Sequence, residues 1–125
     1  MNADTIEKVA LFNRLEEESE VQLGGKYSKF KPFIKELISG EGMVGEESYL
    51  ILWEKNKLEQ LNQAYEVDEY LHDILLIGSD GGDMAYGINA QGEYVEVPFI
   101  GMDDDEVEVV AGNFDEFISY LWDNQ

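Results

Sequence analysis

Residues 73–99 read DILLIGSDGGDMAYGINAQGEYVEVPF, and this stretch decides the fold. Residues 73–77 read as a strand, and the continuous apolar run within it, 74–77, marks it as buried. A turn-forming cluster follows at 78–83. Its glycines allow left-handed turns and let the backbone pass close to a neighbour such as Trp53. Residues 84–90 and 93–99 are two further strand patterns, joined around Gln91-Gly92, a hairpin signal. Strands joined by such short connections form a meander rather than strict strand–helix–strand alternation.

On the amino-terminal side, SYLILW at 48–53 is another buried strand pattern. A helix is expected over 57–65, with Asn56 and Glu59 in capping-box spacing and Leu58, Leu61 and Tyr65 inward. Phe30, Phe33, Ile34, Leu37 and Ile38 fall at i, i+3, i+4, i+7 and i+8, which predicts an amphipathic helix. Pro32 fits only near its start, so its N-cap is placed near Tyr27 or Ser28, and Gly40 and Gly42 end it. A first helix is expected over 5–18, with Asp4 and Glu7 in capping-box spacing, and a short extended piece over 21–23. On the carboxy-terminal side, 102–106 reads as a loop and 107–111 as a short strand. Asn113 and Glu116 open a last helix whose apolar set is Phe114, Phe117, Ile118, Leu121 and Trp122. The expectation is one α+β domain over 1–125. Its sheet is mixed and mostly antiparallel, of about five to six strands, with one layer of helices on one face.

The charge is lopsided. Lys and Arg number 8 against 28 Asp and Glu, a net charge of −20, and every Lys and Arg precedes position 58. Such a balance opposes nucleic-acid binding, because a phosphate backbone needs basic side chains. An acidic surface that meets a basic protein is the sharpest explanation, and a solvated surface is the bland one. Cysteine is absent, which excludes disulfide and thiolate chemistry and fits a reducing cytosol. No secretory signal pattern opens the chain, and the apolar run at 74–77 is far too short to span a bilayer. A cytoplasmic protein without a membrane partner is expected.

Catalytic motifs are weak. His72 is the only histidine and lies among Asp68, Glu69 and Asp73, which reads as an exposed or capping residue. Residues 80–83 and 103–106 offer oxygen ligands of the kind calcium takes, but neither has EF-hand spacing. GSDGGD lacks the lysine of a phosphate-binding loop. No cofactor, metal or enzymatic activity is expected. The proposed partner-binding set is Trp53, Asp80, Asp83, Tyr86, Glu93, Glu96, Asp103, Asp104, Asp105 and Glu106. Its carboxylates would steer and pair with a basic partner, while Trp53 or Tyr86 supplies buried contact. Both aromatics sit in strand patterns, so core or half-core packing is at least as good a reading for each.

The order of several short motifs adds a resemblance. They are the stretch from Phe30 to Gly42, Tyr49-Leu50-Ile51-Leu52-Trp53, Leu61-Asn62-Gln63-Ala64-Tyr65 and Leu75 to Gly82. Tyr86-Gly87-Ile88, Val97-Pro98-Phe99 and Ala111 to Phe117 complete the series. Together, over about 26–122, they resemble the SUKH superfamily, the domain of the fungal Smi/Knr-type cell-wall-assembly regulators and of many bacterial proteins. Tyr27-Ser28-Lys29-Phe30 and Ser39-Gly40-Glu41-Gly42 stand where that pattern usually has a Leu-Pro pair, a Tyr, and a Phe-Leu before an Asn-Gly-Gly turn. The resemblance implies an α+β fold and a non-enzymatic role. Bacterial members resemble immunity proteins that neutralise toxins, many of them nucleases, and fungal members resemble regulatory scaffolds.

Overall fold

Seven strands pair in chain order, β1 to β7, and each neighbouring pair is antiparallel. The structure, a computed structural model, describes residues 1–15 and 23–123. The strands are β1 (Phe12–Leu15), β2 (Ser39–Val44), β3 (Ser48–Leu52), β4 (Ile74–Ser79), β5 (Met84–Asn89), β6 (Tyr94–Pro98) and β7 (Glu108–Ala111). The helices are α1 (Ala3–Lys8), α2 (Leu58–Ala64), α3 (Val67–Tyr70) and α4 (Phe114–Asp123). The fold is α+β as expected. The sheet is longer than the expected five to six strands, and among the described residues it has no parallel pair.

The extra strands are β1, from a stretch expected to be helical, and β2, from the glycines expected to end a helix. The predicted helix over 5–18 ends at Lys8, and Phe12–Leu15 pairs with β2 instead. Thr5, Val9 and Phe12 are buried, and the cap of α1 is Asn2, which accepts the Thr5 N–H, rather than the expected Asp4. Residues 16–18 of that helix, and 21–22 of the extended piece, lie outside the described residues. Over 30–38 the expected helix is replaced by 3₁₀ turns at Gly25–Phe30 and Ile34–Glu36. Phe30, Ile34, Leu37 and Ile38 are nevertheless buried. Pro32 donates no backbone hydrogen bond, which favours this broken path over a continuous helix.

Gly40 and Gly42, read as helix stops, lie inside β2. They are there because β1 crosses them closely. A Cβ on Gly40, whose φ is +143°, would stand 2.0 Å from the Asn13 carbonyl oxygen. Only glycine fits that approach.

Helices and loops cover both faces of the sheet, not one. On the first face, α4 lays Phe114, Phe117, Ile118 and Leu121 against Leu50, Leu75, Ile77, Tyr86 and Ile88. Tyr94 stacks on Phe117 at 5.0 Å between ring centroids. Asn113 caps α4 as its spacing predicted, accepting the Glu116 N–H at 2.9 Å. Glu116 reaches back to the Gly112 N–H. Asn113→Ala is expected to lower stability by about 1 kcal/mol in urea unfolding, the usual worth of such a cap.

On the second face, α3 and the β6–β7 connection cover Ile74, Leu76, Ala85, Val95 and Val97 with Val67, Leu71 and Met102. The expected Asn56 cap of α2 is not made: the N-cap is Lys57, without a side-chain bond, and Glu59 accepts the Gly24 N–H. The buried polar residue of α2 is Asn62. Its carboxamide donates to the Leu76 carbonyl at 2.9 Å and accepts the Leu76 N–H at 2.8 Å. β3 pairs with β4 only at Ser79 and Gly78, with one further bond from the Trp53 N–H to the Ile77 carbonyl. Where β3 has left, the Asn62 amide occupies the place of a neighbouring strand.

Candidate functional site

Among the described residues, the second face of the sheet is covered over β4–β6 and left open over β1–β3. Opposite pairs in the register place Asn13, Glu41 and Ile51 together, with Met43 beside Tyr49. These side chains are exposed or half-buried, unlike Phe12, Leu50 and Leu52 on the α4 side. The Tyr49 hydroxyl donates to Glu41 at 2.5 Å, and that bond, then burial, raises its pKa above the ordinary phenol value.

Beside this open half lies a cleft of about 700 Å³. Trp53 leaves the end of β3, Tyr65 the end of α2 and Phe99 the end of β6, and their rings meet there. Trp53 and Tyr65 stack at 5.7 Å with planes 6° apart, and Tyr65 meets Phe99 at 5.4 Å. Ile51, Tyr70 and Met102 complete the apolar wall, and Gly81 and Gly82 of the β4–β5 turn form one rim. A second cleft of about 460 Å³ continues toward β1 and shares Ile51 and Trp53 with the first.

The residues singled out from the sequence are distributed as follows. Trp53 lines both clefts. Asp80 and Asp83 flank the rim glycines, and Asp80 accepts the Gly82 and Met84 N–H groups, so it also shapes the turn. Asp103, Asp104, Asp105 and Glu106 follow Met102 in the exposed part of the β6–β7 connection. There Asp103 caps a 3₁₀ turn and Asp104 accepts the His72 N–H at 2.7 Å.

Tyr86 belongs to the core. It is 5 % exposed, meets Phe117 edge-on at 5.2 Å, and burial, then Asp80 and Glu96, push its pKa far up. Glu96 faces α4 and accepts the Tyr120 hydroxyl at 2.8 Å. Glu93 is bonded to Asn89 in the β5–β6 turn, at the opposite end of the strands from Asp80. The carboxylates therefore do not form one contiguous face. Lysines of the amino-terminal half reach some acids, Lys26 meeting Asp68 and Lys29 meeting Asp73, but those acids lie outside the candidate set.

Tyr65, Tyr70 and Phe99 were not among the sequence candidates. Their signal was position, since each stands at or just beyond the end of an element, where side chains leave the regular core. Among the described residues, no group of three or more His, Asp or Glu side chains is placed to hold a metal ion. No helix there is long and apolar enough to cross a membrane.

No curated protein matches the chain in sequence. A family model does: that of the SMI1 / KNR4 family (SUKH-1) matches residues 12–120.

Proposed function

Because the chain belongs to the SMI1 / KNR4 family (SUKH-1), we propose that it is a non-enzymatic binding protein of the immunity type. It neutralises a basic toxin domain by covering it. A nuclease is the kind of toxin that fits best, because a site built for phosphates is rich in Lys and Arg. The observation that carries this reading is the Trp53 cleft: aromatic, open, bordered by the Asp80–Asp83 turn, and with no Lys or Arg among its lining residues. Clustered aromatics supply the buried contact that dominates protein interfaces. The nearby carboxylates, and the net charge of −20, speed encounter with a cation-rich surface.

In this reading Asp80, Asp83 and Asp103 to Glu106 act at the interface, and Glu93 and Glu96 contribute only to the long-range field. Stopped-flow association with the toxin domain encoded beside this gene tests it. Raising salt from about 0.05 to 0.5 M is expected to slow association by about tenfold or more, with a smaller change in dissociation. A salt-independent association rate overturns the steering role. A gene with no toxin neighbour favours the regulatory scaffold that the family's fungal members exemplify.

A further inference from the structure

We propose that the Trp53 cleft is an arginine site: it receives the guanidinium of a basic segment of the partner protein. The cation lies on the aromatic wall and pairs at the rim with Asp83. This deepens the binding reading above and rests on it for the identity of the partner.

Three features select this occupant. First, Trp53, Tyr65 and Phe99 form a continuous run of packed rings along the cleft, with successive centroids 5.7 and 5.4 Å apart. A cation within about 6 Å of such rings is attracted by their quadrupoles, most strongly by Trp. Secondly, the lining holds no charged side chain, and the turn whose Gly81 and Gly82 border it carries Asp80 and Asp83, so a cation is favoured over an anionic or phosphorylated group. Thirdly, the cleft is about 700 Å³ in volume and walled largely by aromatic side chains. A planar guanidinium can stack on it while its N–H fork reaches a carboxylate, and a compact, strongly hydrated ammonium cannot do both as well. Asp80 is committed in part to the Gly82 and Met84 N–H groups, which leaves the exposed Asp83 as the principal rim partner. Ile100, 87 % exposed beside the cleft, offers an apolar contact for the residues flanking the arginine.

The experiment uses the full chain carrying Trp122→Phe, so that Trp53 is its one indole. The probe is the blocked peptide Gly-Arg-Gly-Arg-Gly, with lysine and citrulline counterparts, followed by NMR of the Trp53 indole N–H at low salt. The arginine peptide is expected to move that resonance saturably. The lysine peptide should bind about tenfold more weakly, and the uncharged citrulline peptide should leave the resonance unmoved. Tyr65→Leu, at a half-exposed position, is expected to weaken the arginine peptide about tenfold. Asp83→Asn should weaken it severalfold and flatten its salt dependence.

Equal responses to arginine and citrulline overturn the proposal, as does an arginine peptide that shifts other resonances and not Trp53. Pull-down of the neighbouring toxin domain separates the two readings. A toxin held equally by wild type and Tyr65→Leu, with Trp53 silent to the peptide, removes the arginine site and keeps the immunity role. A peptide bound at Trp53 by a protein that holds no toxin keeps the site and removes that role.

Discussion

Replacing Asn62 with Leu is expected to lower the unfolding free energy by about 4 kcal/mol, a larger loss than its small change in volume suggests. Asn62 is fully buried. Its carboxamide satisfies both the N–H and the carbonyl of Leu76, and it also donates to the Leu58 carbonyl of its own helix at 2.8 Å. Leucine fills the space but leaves both Leu76 groups buried without partners. Each such group costs about 1–3 kcal/mol. With a urea slope of about 2 kcal/mol/M, the midpoint should fall by about 2 M. Asn62→Asp separates size from hydrogen bonding, since a carboxylate can accept from Leu76 but not donate to it. It should be comparably destabilising at neutral pH. A midpoint within about 0.3 M of wild type for Asn62→Leu would show that Leu76 finds other partners.

A single methyl group at Gly78 is expected to cost about 3 kcal/mol and to disable the cleft as well. A Cβ there would lie 2.0 Å from the Ile51 carbonyl oxygen and 3.1 Å from the Leu52 Cα, both backbone atoms of β3. β3 cannot simply recede, because the Trp53 N–H is bonded to the Ile77 carbonyl at 2.9 Å and Leu50 and Leu52 are locked in the core. Pushing it away moves Ile51 and Trp53, which line the cleft. Gly78→Ala should therefore lower Tm by about 10 °C and weaken partner binding in the same variant. Gly82→Ala is the control. Its Cβ would meet nothing closer than an Asp80 carboxylate oxygen at 3.5 Å, so stability should barely change. Equal melting temperatures for the two variants would refute the crowding argument.

Much of the fold was legible where one local signal agreed with tertiary packing. Asn113 with Glu116, and the stripe from Phe114 to Leu121, specified α4 because cap and apolar face point to the same helix. The hairpin around Gly92 was equally clear. The stretch from Phe30 to Ile38 misled because buried residues in successive 3₁₀ turns have nearly the spacing of an α-helical stripe. β1 was hidden because it exists only through glycines 26 or more residues away, at Gly40 and Gly42.

The candidate site was half legible. Trp53 and the Asp80–Asp83 turn were identified, but Tyr86 was grouped with them although it points to α4. A continuously apolar strand does not say which face a side chain takes. The separation of Glu93 from Asp80 follows from topology, since successive turns of a meander lie at opposite ends of the strands, about 17–20 Å apart for strands of this length. Asn62 stood in the quoted motif and four residues after Leu58. A polar residue on an apolar stripe was its only signal, and it named no partner.

Strand order carries one more consequence, for how the chain acquires its shape. Each strand pairs with the next in chain order, and the β2–β3, β4–β5 and β5–β6 ladders close over short turns, whereas β1–β2 and β3–β4 must first close much longer loops. Short loop closures favour rapid folding. Successive hairpins can be added from the amino terminus as the polypeptide emerges, and α4 arrives last to seal the aromatic face. Until that helix docks, Tyr86 and Tyr94 have no cover from Phe114 and Phe117. The nascent chain is most prone to aggregate in the interval before the ten residues of α4 are released.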